Sequence, residues 1–558
     1  MNKLYLFLLS LLPTLASAYD AEIDGIYYNL NSETNQAEVT YRSSSEKSYS
    51  GTIVIPSSVT YKKKKYAVTS IGENAFYNCT ELTCDMHIPN SVINIGEKAF
   101  YGCRGLSNVF VSNSVTSIGE SAFYGCSGME TVVIGNSVTS IVKNAFKNCR
   151  GMTSVTIGNS VTSIEENAFE GCVGLEGILI PNSVIGIDKN AFYGCSGMKS
   201  VTIGNSATSI GENAFYGCSG VKNVTIGNSV VSIAKNAFYG CSGMKSLTIG
   251  ESVTSIGESA FEGCIGLESA IIPNSVVSIA KNAFYGCSGM KSLIIGDSVT
   301  SIGRSAFEGC SGLTSLSIGK SVNSIDDNAF QYCRELRLVT ICSDDLSFPS
   351  MGVIFEGCNK VEKLIFSDDC TNAARTGLIS VSEVSLPETL QTIGNSAFFG
   401  FTKLNEITIP HSVTIIGKYA FYGCSGLTSI TIPDAVTSID ECAFMWCTGL
   451  TSFTIPNSVT SIGMYAFDDC KNMTSITIGN SVSSIGFGAF ENCKMLKDVY
   501  CLAENVPSTK EEVFACSNIT HVTLHVPEAS INEYKSTAPW NWFGNIVALK
   551  AEDLPSEV

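Results

Sequence analysis

Apolar residues recur along this chain in a fixed order with a fixed period. Eleven phenylalanines, from Phe100, Phe123 and Phe146 onward to Phe330, stand 23 residues apart. The series resumes with the same period at Phe398, Phe421, Phe444, Phe467 and Phe490. Such self-similarity is the signature of a repeat architecture and takes precedence over any count of globular domains. Within a unit, Ile430-Thr431-Ile432 alternates apolar and polar, which predicts a short half-buried strand. Pro (Pro181, Pro273, Pro433, Pro456) or Gly (Gly158, Gly204, Gly250) then ends the strand. Asn-Ser pairs such as Asn457-Ser458 supply turn chemistry. A second extended piece, Val459 to Ile462, turns two more aliphatics inward, and Tyr465-Ala466-Phe467 is expected to form one tight helical turn.

No unit can bury its own apolar groups, each worth roughly 1.5–3 kcal/mol when buried. Stacking does it for all of them, so the expected fold is a mainly β repeat solenoid with parallel sheets of short strands and short helical turns. It would contain about 19 turns of 23 residues, capped at both ends. Residues 19–68 lack the motif and read as a β-rich N-terminal cap, with Lys62 to Lys65 in a solvated hairpin turn. Solenoid follows over 69–341, degenerate repeats with an irregular loop containing Asp368, Asp369 and Cys370 over 342–390, and solenoid again over 391–527. Residues 528–558 form a C-terminal cap and tail, with Trp540, Trp542, Phe543, Ile546 and Val547 sealing the last turn.

The N-terminus reads as a secretory signal peptide over residues 1–18: Lys3, an apolar run over 4–15, and Ala16-Ser17-Ala18 as cleavage site. The run is too short to span a bilayer, and no transmembrane segment is expected. The chain is therefore expected to be secreted, with retention at the cell surface left open. A net charge of −17 disfavours a nucleic-acid partner, which needs a basic footprint.

Export makes the 23 cysteines candidates for disulfides. Seventeen, from Cys79 and Cys103 to Cys493, sit three residues after a repeat Phe. Stacking would set their Cα atoms about 5 Å apart with parallel Cβ vectors, a poor bridge geometry. They are expected to be buried free thiols. Cys84, Cys342, Cys370, Cys442, Cys501 and Cys516 fall off this ladder, and bridges among them stay open.

Chemistry is hard to find. His521 and His525 lie four apart in a strand-like run, too far for one metal, and no catalytic motif occurs. The pairs Asp326-Asp327, Asp344-Asp345, Asp368-Asp369 and Asp468-Asp469 read as solvated loop charge. No catalytic residue, cofactor or metal is assigned, and the chain is not expected to be an enzyme. A binding surface is the better expectation. If Ile430 and Ile432 point inward, Thr431 points out, and its column holds Thr156, Thr202, Thr225, Thr248, Thr340, Thr408, Thr454 and Thr477. Phe110, Val133, Leu179, Ile271, Ile294 and Tyr500 interrupt that column, and the first five form the candidate binding face. Lys199, Lys222, Lys245 and Lys291 make a neighbouring basic column, broken by Glu268.

The stretch from Ile416 to Ile439, of the form Ile-Gly-x-x-Ala-Phe-x-x-Cys-x-x-Leu-x-x-Ile-x-Ile-Pro-x-x-Val-x-x-Ile, resembles the BspA-like, treponemal-type leucine-rich repeat family of bacterial surface and secreted proteins. The match runs from about residue 50 to 527. The resemblance implies a leucine-rich-repeat solenoid and adhesion to host extracellular matrix or cell-surface proteins. It identifies no ligand and no site residues. A structural surface-coat component and a glycan-acting solenoid enzyme are the alternatives.

Overall fold

The computed structural model describes residues 19–43, 48–343 and 354–550. Residues 1–18, read above as a signal peptide, Asp344-Asp345 and the final residues 551–558 lie outside them. The protein is a β-solenoid of about 20 turns of about 23 residues with almost no helix. It divides into two compact units, the first ending at Gly250 and the second starting at Glu251.

The first unit opens with an antiparallel meander, Ala21–Ile23, Ile26–Asn31 and Gln36–Thr40, in which Tyr28 faces Val39. Lys64–Ile71 pairs parallel with Gln36–Thr40 and antiparallel with Ser58–Tyr61. Lys62 and Lys63 form the two-residue turn of that hairpin, both at positive φ, as a type I′ turn requires. The meander runs into the solenoid through Asn94–Ile95 and Ser117–Ile118. Each later turn then contributes two short strands to two parallel ladders. One ladder carries Ser200–Ile203 and Asn223–Thr225, the other Ser140–Ile141 and Ser209–Ile210.

The second unit repeats this plan, with Ser269–Ile272 through Glu383–Ser385 in one parallel sheet. Lys363–Phe366 and Glu383–Ser385 keep the ladder through the irregular region. Cys370 is therefore not on a bulging loop. It is fully buried, its thiol donating to the Ile341 carbonyl at 3.2 Å, while Asp368 and Asp369 stand exposed beside it. At the far end Asn545–Ala548 pairs parallel with Thr523–Val526. Trp540 and Phe543 are buried against Phe514, but Trp542 is 43% exposed.

The core is a set of columns. Rings from Phe76 to Phe238 stack with centroids 4.8–5.3 Å apart, and those from Phe261 to Phe355 stack at 4.9–5.4 Å in the second unit. All 23 cysteines are free thiols. From Cys103 onward those of the ladder donate to the carbonyl of a Phe one turn earlier, as Cys126 does to Phe100 at 3.1 Å and Cys447 to Phe421 at 3.1 Å. Burial pushes Cys126 and Cys218 up to about 12, so they remain protonated hydrogen-bond donors.

The expected helical turn before each Phe is instead a pair of tight turns. Residues two before the Phe (Asn213, Tyr465) have φ of 54° and 55°, and the Gly two after it, such as Gly217, has φ of 69°. Left-handed residues on both sides stop a helix from propagating.

One strand-end position decides how the turns join. Within each unit, every 23-residue turn with Gly there is laddered to the turn before it: Gly135, Gly158, Gly204, Gly227, Gly250, Gly296, Gly319 and Gly479. A Cβ on these glycines would fall 2.2–2.8 Å from the main chain of the preceding turn, a clash. Turns with Pro181, Pro410, Pro433 or Pro456 have no ladder to their predecessor. A proline ring fills the space the close approach needs, and proline has no N–H to donate. Pro387 and Pro527 end turns of 20 and 25 residues and stay laddered, so the rule belongs to turns of regular length.

Candidate protein-binding face

Strand alternation sets what the first ladder shows to solvent. In Ser200–Ile203, Val201 and Ile203 are buried while Ser200 and Thr202 are exposed. Parallel register then stacks equivalent outward residues into columns, as Thr202 on Thr225 and Thr225 on Thr248.

The five candidate residues all point outward but do not form one patch. In the first unit Phe110 and Val133 are direct neighbours, half-buried, and His87 stacks on Phe110 with ring centroids 4.6 Å apart. Leu179 is 69% exposed and stands alone, opposite Thr202. In the second unit Ile271 and Ile294 face one another, 65% and 48% exposed, followed by Ser317. At the equivalent repeat position in a separate sheet near the C-terminal end, Tyr500 stacks on His525 at 4.4 Å, and His525 Nε2 lies 3.1 Å from Asp498. His521 closes a 3-10 turn rather than lying in that strand.

Sequence reasoning missed a second apolar set on the other ladder. Ile93, Ile185 and Val231 in the first unit and Val277 and Ile415 in the second are 44–52% exposed. The first four occupy a position that is Thr in other turns, such as Thr116 and Thr300, where the hydroxyl donates to the preceding turn's carbonyl, and Ile415 stands one residue further on, paired with Thr392 and Ser438. The signal was a break in a hydroxyl column, the same one that revealed Leu179. The basic column is partly neutralised, since Lys199 pairs with Glu176 at 3.2 Å.

The proline-opened strands have a consequence in the second unit. Among the described residues, no main-chain hydrogen bond joins 406–409 or 429–432 to a neighbouring turn. A groove of about 420 Å³ lies there, lined by residues 429–434, 452–457 and His411.

The model of the BspA type leucine rich repeat region matches residues 53–176, 162–290, 256–377, 374–463 and 438–538. This chain belongs to the BspA-type leucine-rich repeat family. Among solved structures, a leucine-rich repeat protein from Bacteroides ovatus is 25% identical, covering 88% of this chain and 99% of that one, with a TM-score of 0.40. A leucine rich cell surface protein from Faecalibacterium prausnitzii is 22% identical over 86% of this chain and 94% of its own, TM-score 0.24. The T. pallidum leucine rich repeat protein is 21% identical over 44% of this chain and 90% of its own, TM-score 0.25. No curated protein matches. Among the described residues no helix is long and apolar enough to cross a membrane, and no group of His, Cys, Asp or Glu is placed to hold a metal ion.

Proposed function

We propose that this BspA-type protein is a non-catalytic binding protein, secreted or held at the cell surface, whose strand face takes a protein ligand in adhesion to host matrix or cells. One observation carries the reading. Large aliphatic side chains, Leu179, Ile271 and Ile294, stand 48–69% exposed at outward positions that hold Thr or Ser in neighbouring turns. Folding gains nothing from exposing them, whereas an interface gains roughly 25 cal/mol for each Å² of apolar surface it buries. A leader over residues 1–18 would deliver the chain to that setting.

The test is binding of the chain without residues 1–18 to immobilised matrix proteins. Lysine at Val133, Leu179, Ile271 and Ile294 should leave thermal unfolding unchanged, because none of these side chains is in the core. It should weaken binding by about tenfold or more, the effect of losing one or two buried anchors. A four-site variant that binds as tightly as the unaltered chain removes the strand face from consideration.

A further inference from the structure

Turns of the second unit between residues 396 and 492 depart from the pattern that governs left-handed positions elsewhere. Two residues before the stacking Phe, most turns place Asn or Ser, as Asn282 at φ 56° and Ser305 at φ 55°. Here Tyr419 (57°), Cys442 (54°) and Tyr465 (55°) occupy that position. Two residues after the Phe, where Gly309 and Gly423 stand, Trp446 has φ 62°. Gly, and after it Asn, take this conformation most readily, and for bulky residues it is uncommon. The bulky side chains are not there to fill the core. Trp446 is 48% exposed, Met464 is 46% exposed, and Tyr419, Tyr422 and Tyr465 are half-buried.

The aromatic groups form rows on the turn face. Phe399 stacks on Tyr422 at 4.6 Å, Tyr422 on Trp446 at 5.5 Å, and Tyr465 meets Phe487 edge-on at 5.4 Å. Two aromatics of this unit, the exposed Tyr332 and the half-buried Phe399, already hold a cation from the chain itself. Arg375 lies over Phe399 at 5.1 Å, and Arg334 lies over Tyr332 at 5.7 Å. Tyr332 has the same place in its turn as Trp446, two residues after the Phe and at φ 60°. The residue two beyond Tyr332 is Arg334, whereas the residue two beyond Trp446 is Thr448. Among the described residues no lysine or arginine covers Trp446.

Charge around the rows has the sign a cation needs. Glu491, Asp468 and Glu512 all act on the Tyr465 hydroxyl, and Glu441 acts on that of Tyr419. Asp469 follows Trp446 in the next turn. The nearby cations Lys418 and Lys471 are each paired, with Glu441 at 3.1 Å and Asp469 at 3.0 Å. Burial, with Asp469 and Glu491 close by, raises Asp468 to about 6, a repulsion that an incoming positive charge would relieve.

We propose that this turn-face surface, centred on Trp446 with Tyr422, Tyr465 and the carboxylates of Glu491 and Glu512, is a docking site for a cationic protein segment rich in arginine or lysine. The guanidinium or ammonium groups would lie on the aromatic faces, as Arg334 does on Tyr332, with the carboxylates at the rim. The site is separate from the strand face and stands or falls independently of it.

A nona-arginine peptide is the probe and a nona-citrulline peptide, equal in length and shape but uncharged, its control. Binding is read by titration calorimetry with the whole chain at physiological salt. Trp446→Gly with Tyr465→Asn installs the residues other turns use, so it keeps net charge and should raise or preserve the melting temperature. We expect this variant to bind nona-arginine about tenfold more weakly. Thr448→Arg, which copies the Tyr332–Arg334 arrangement, should weaken binding similarly by covering Trp446 from within. Equal affinity of the Trp446→Gly/Tyr465→Asn variant and the unaltered chain would overturn the proposal, since attraction would then come from net charge alone. Binding of nona-citrulline as tight as nona-arginine would overturn it too.

Discussion

Gly204 rests directly on Pro181 of the preceding turn. A Cβ at Gly204 would lie 2.8 Å from the Pro181 carbonyl carbon, and the Gly204 amide donates to the Ile180 carbonyl at 3.0 Å. The two residues occupy the same place in successive turns, and they leave the sheet closed on one side of Ile180 and open on the other.

Replacing Pro181 by Gly should therefore extend the ladder across residues 154–157. Amide exchange there should slow by about fivefold, the ~1 kcal/mol net worth of a hydrogen bond. The converse change, Gly204→Pro, should speed exchange over 177–180 and destabilise the first unit by ~3 kcal/mol or more, through lost bonding and a clash. Unaltered exchange in both variants would show that the strand-end residue does not control pairing.

The thiol ladder makes alkaline stability fall. Cys126, Cys218 and Cys424 are raised to about 12 by burial, from an ordinary value of 9.0. Between pH 9 and 12 the folded chain keeps protons that the unfolded chain has lost. The contribution is thus complete below pH 9 and drains away as pH rises through 12, at up to ~1.4 kcal/mol per thiol and pH unit. Chemical denaturation at pH 8 and pH 10.5 checks this. In the same samples at pH 8, exposed Cys516 should react with a thiol reagent long before Cys126 does.

Asp468 should cost stability at neutral pH. Its pKa is raised to about 6, so its contribution is complete below the unfolded value of 3.8 and is lost as pH climbs through 6. Asp468→Asn keeps an acceptor for the Asn492 amide, now 3.3 Å away, and should stabilise the second unit by ~1 kcal/mol at pH 7. At pH 4 the gain should shrink towards zero. A gain that does not depend on pH would exclude the carboxylate charge as its cause.

Truncating a stacked ring should act locally. Phe215 is fully buried between Phe192 and Phe238, each 5.0 Å away, and Phe215→Ala should cost ~3–5 kcal/mol. Nearest-neighbour coupling predicts that exchange quickens in its own turn and the two beside it, with the N-terminal meander unaffected. Uniform loss of protection through the first unit would show wider cooperativity than stacking alone gives.

Much of this protein could be read from the order of its residues. A 23-residue period of Ile, Val, Ala, Phe and Cys forces burial by stacking, and so specifies columns, strand pairs and the free-thiol ladder without any knowledge of coordinates. Strand alternation likewise sent Phe110, Val133, Leu179, Ile271 and Ile294 outward. Only the tertiary structure decided which of these meet, because exposure depends on the neighbouring turn: Phe110 joins Val133, Ile271 joins Ile294, and Leu179 remains single. It also decided that the stretch before each Phe is a left-handed tight turn and not a helix. Backbone angles at Asn213, Tyr465 and Trp446 follow from contact with the turns on either side, and local propensity carries no record of those contacts. For the same reason a proline that merely ends a strand in the sequence becomes, once turns are stacked 23 residues apart, the residue that holds two of them open.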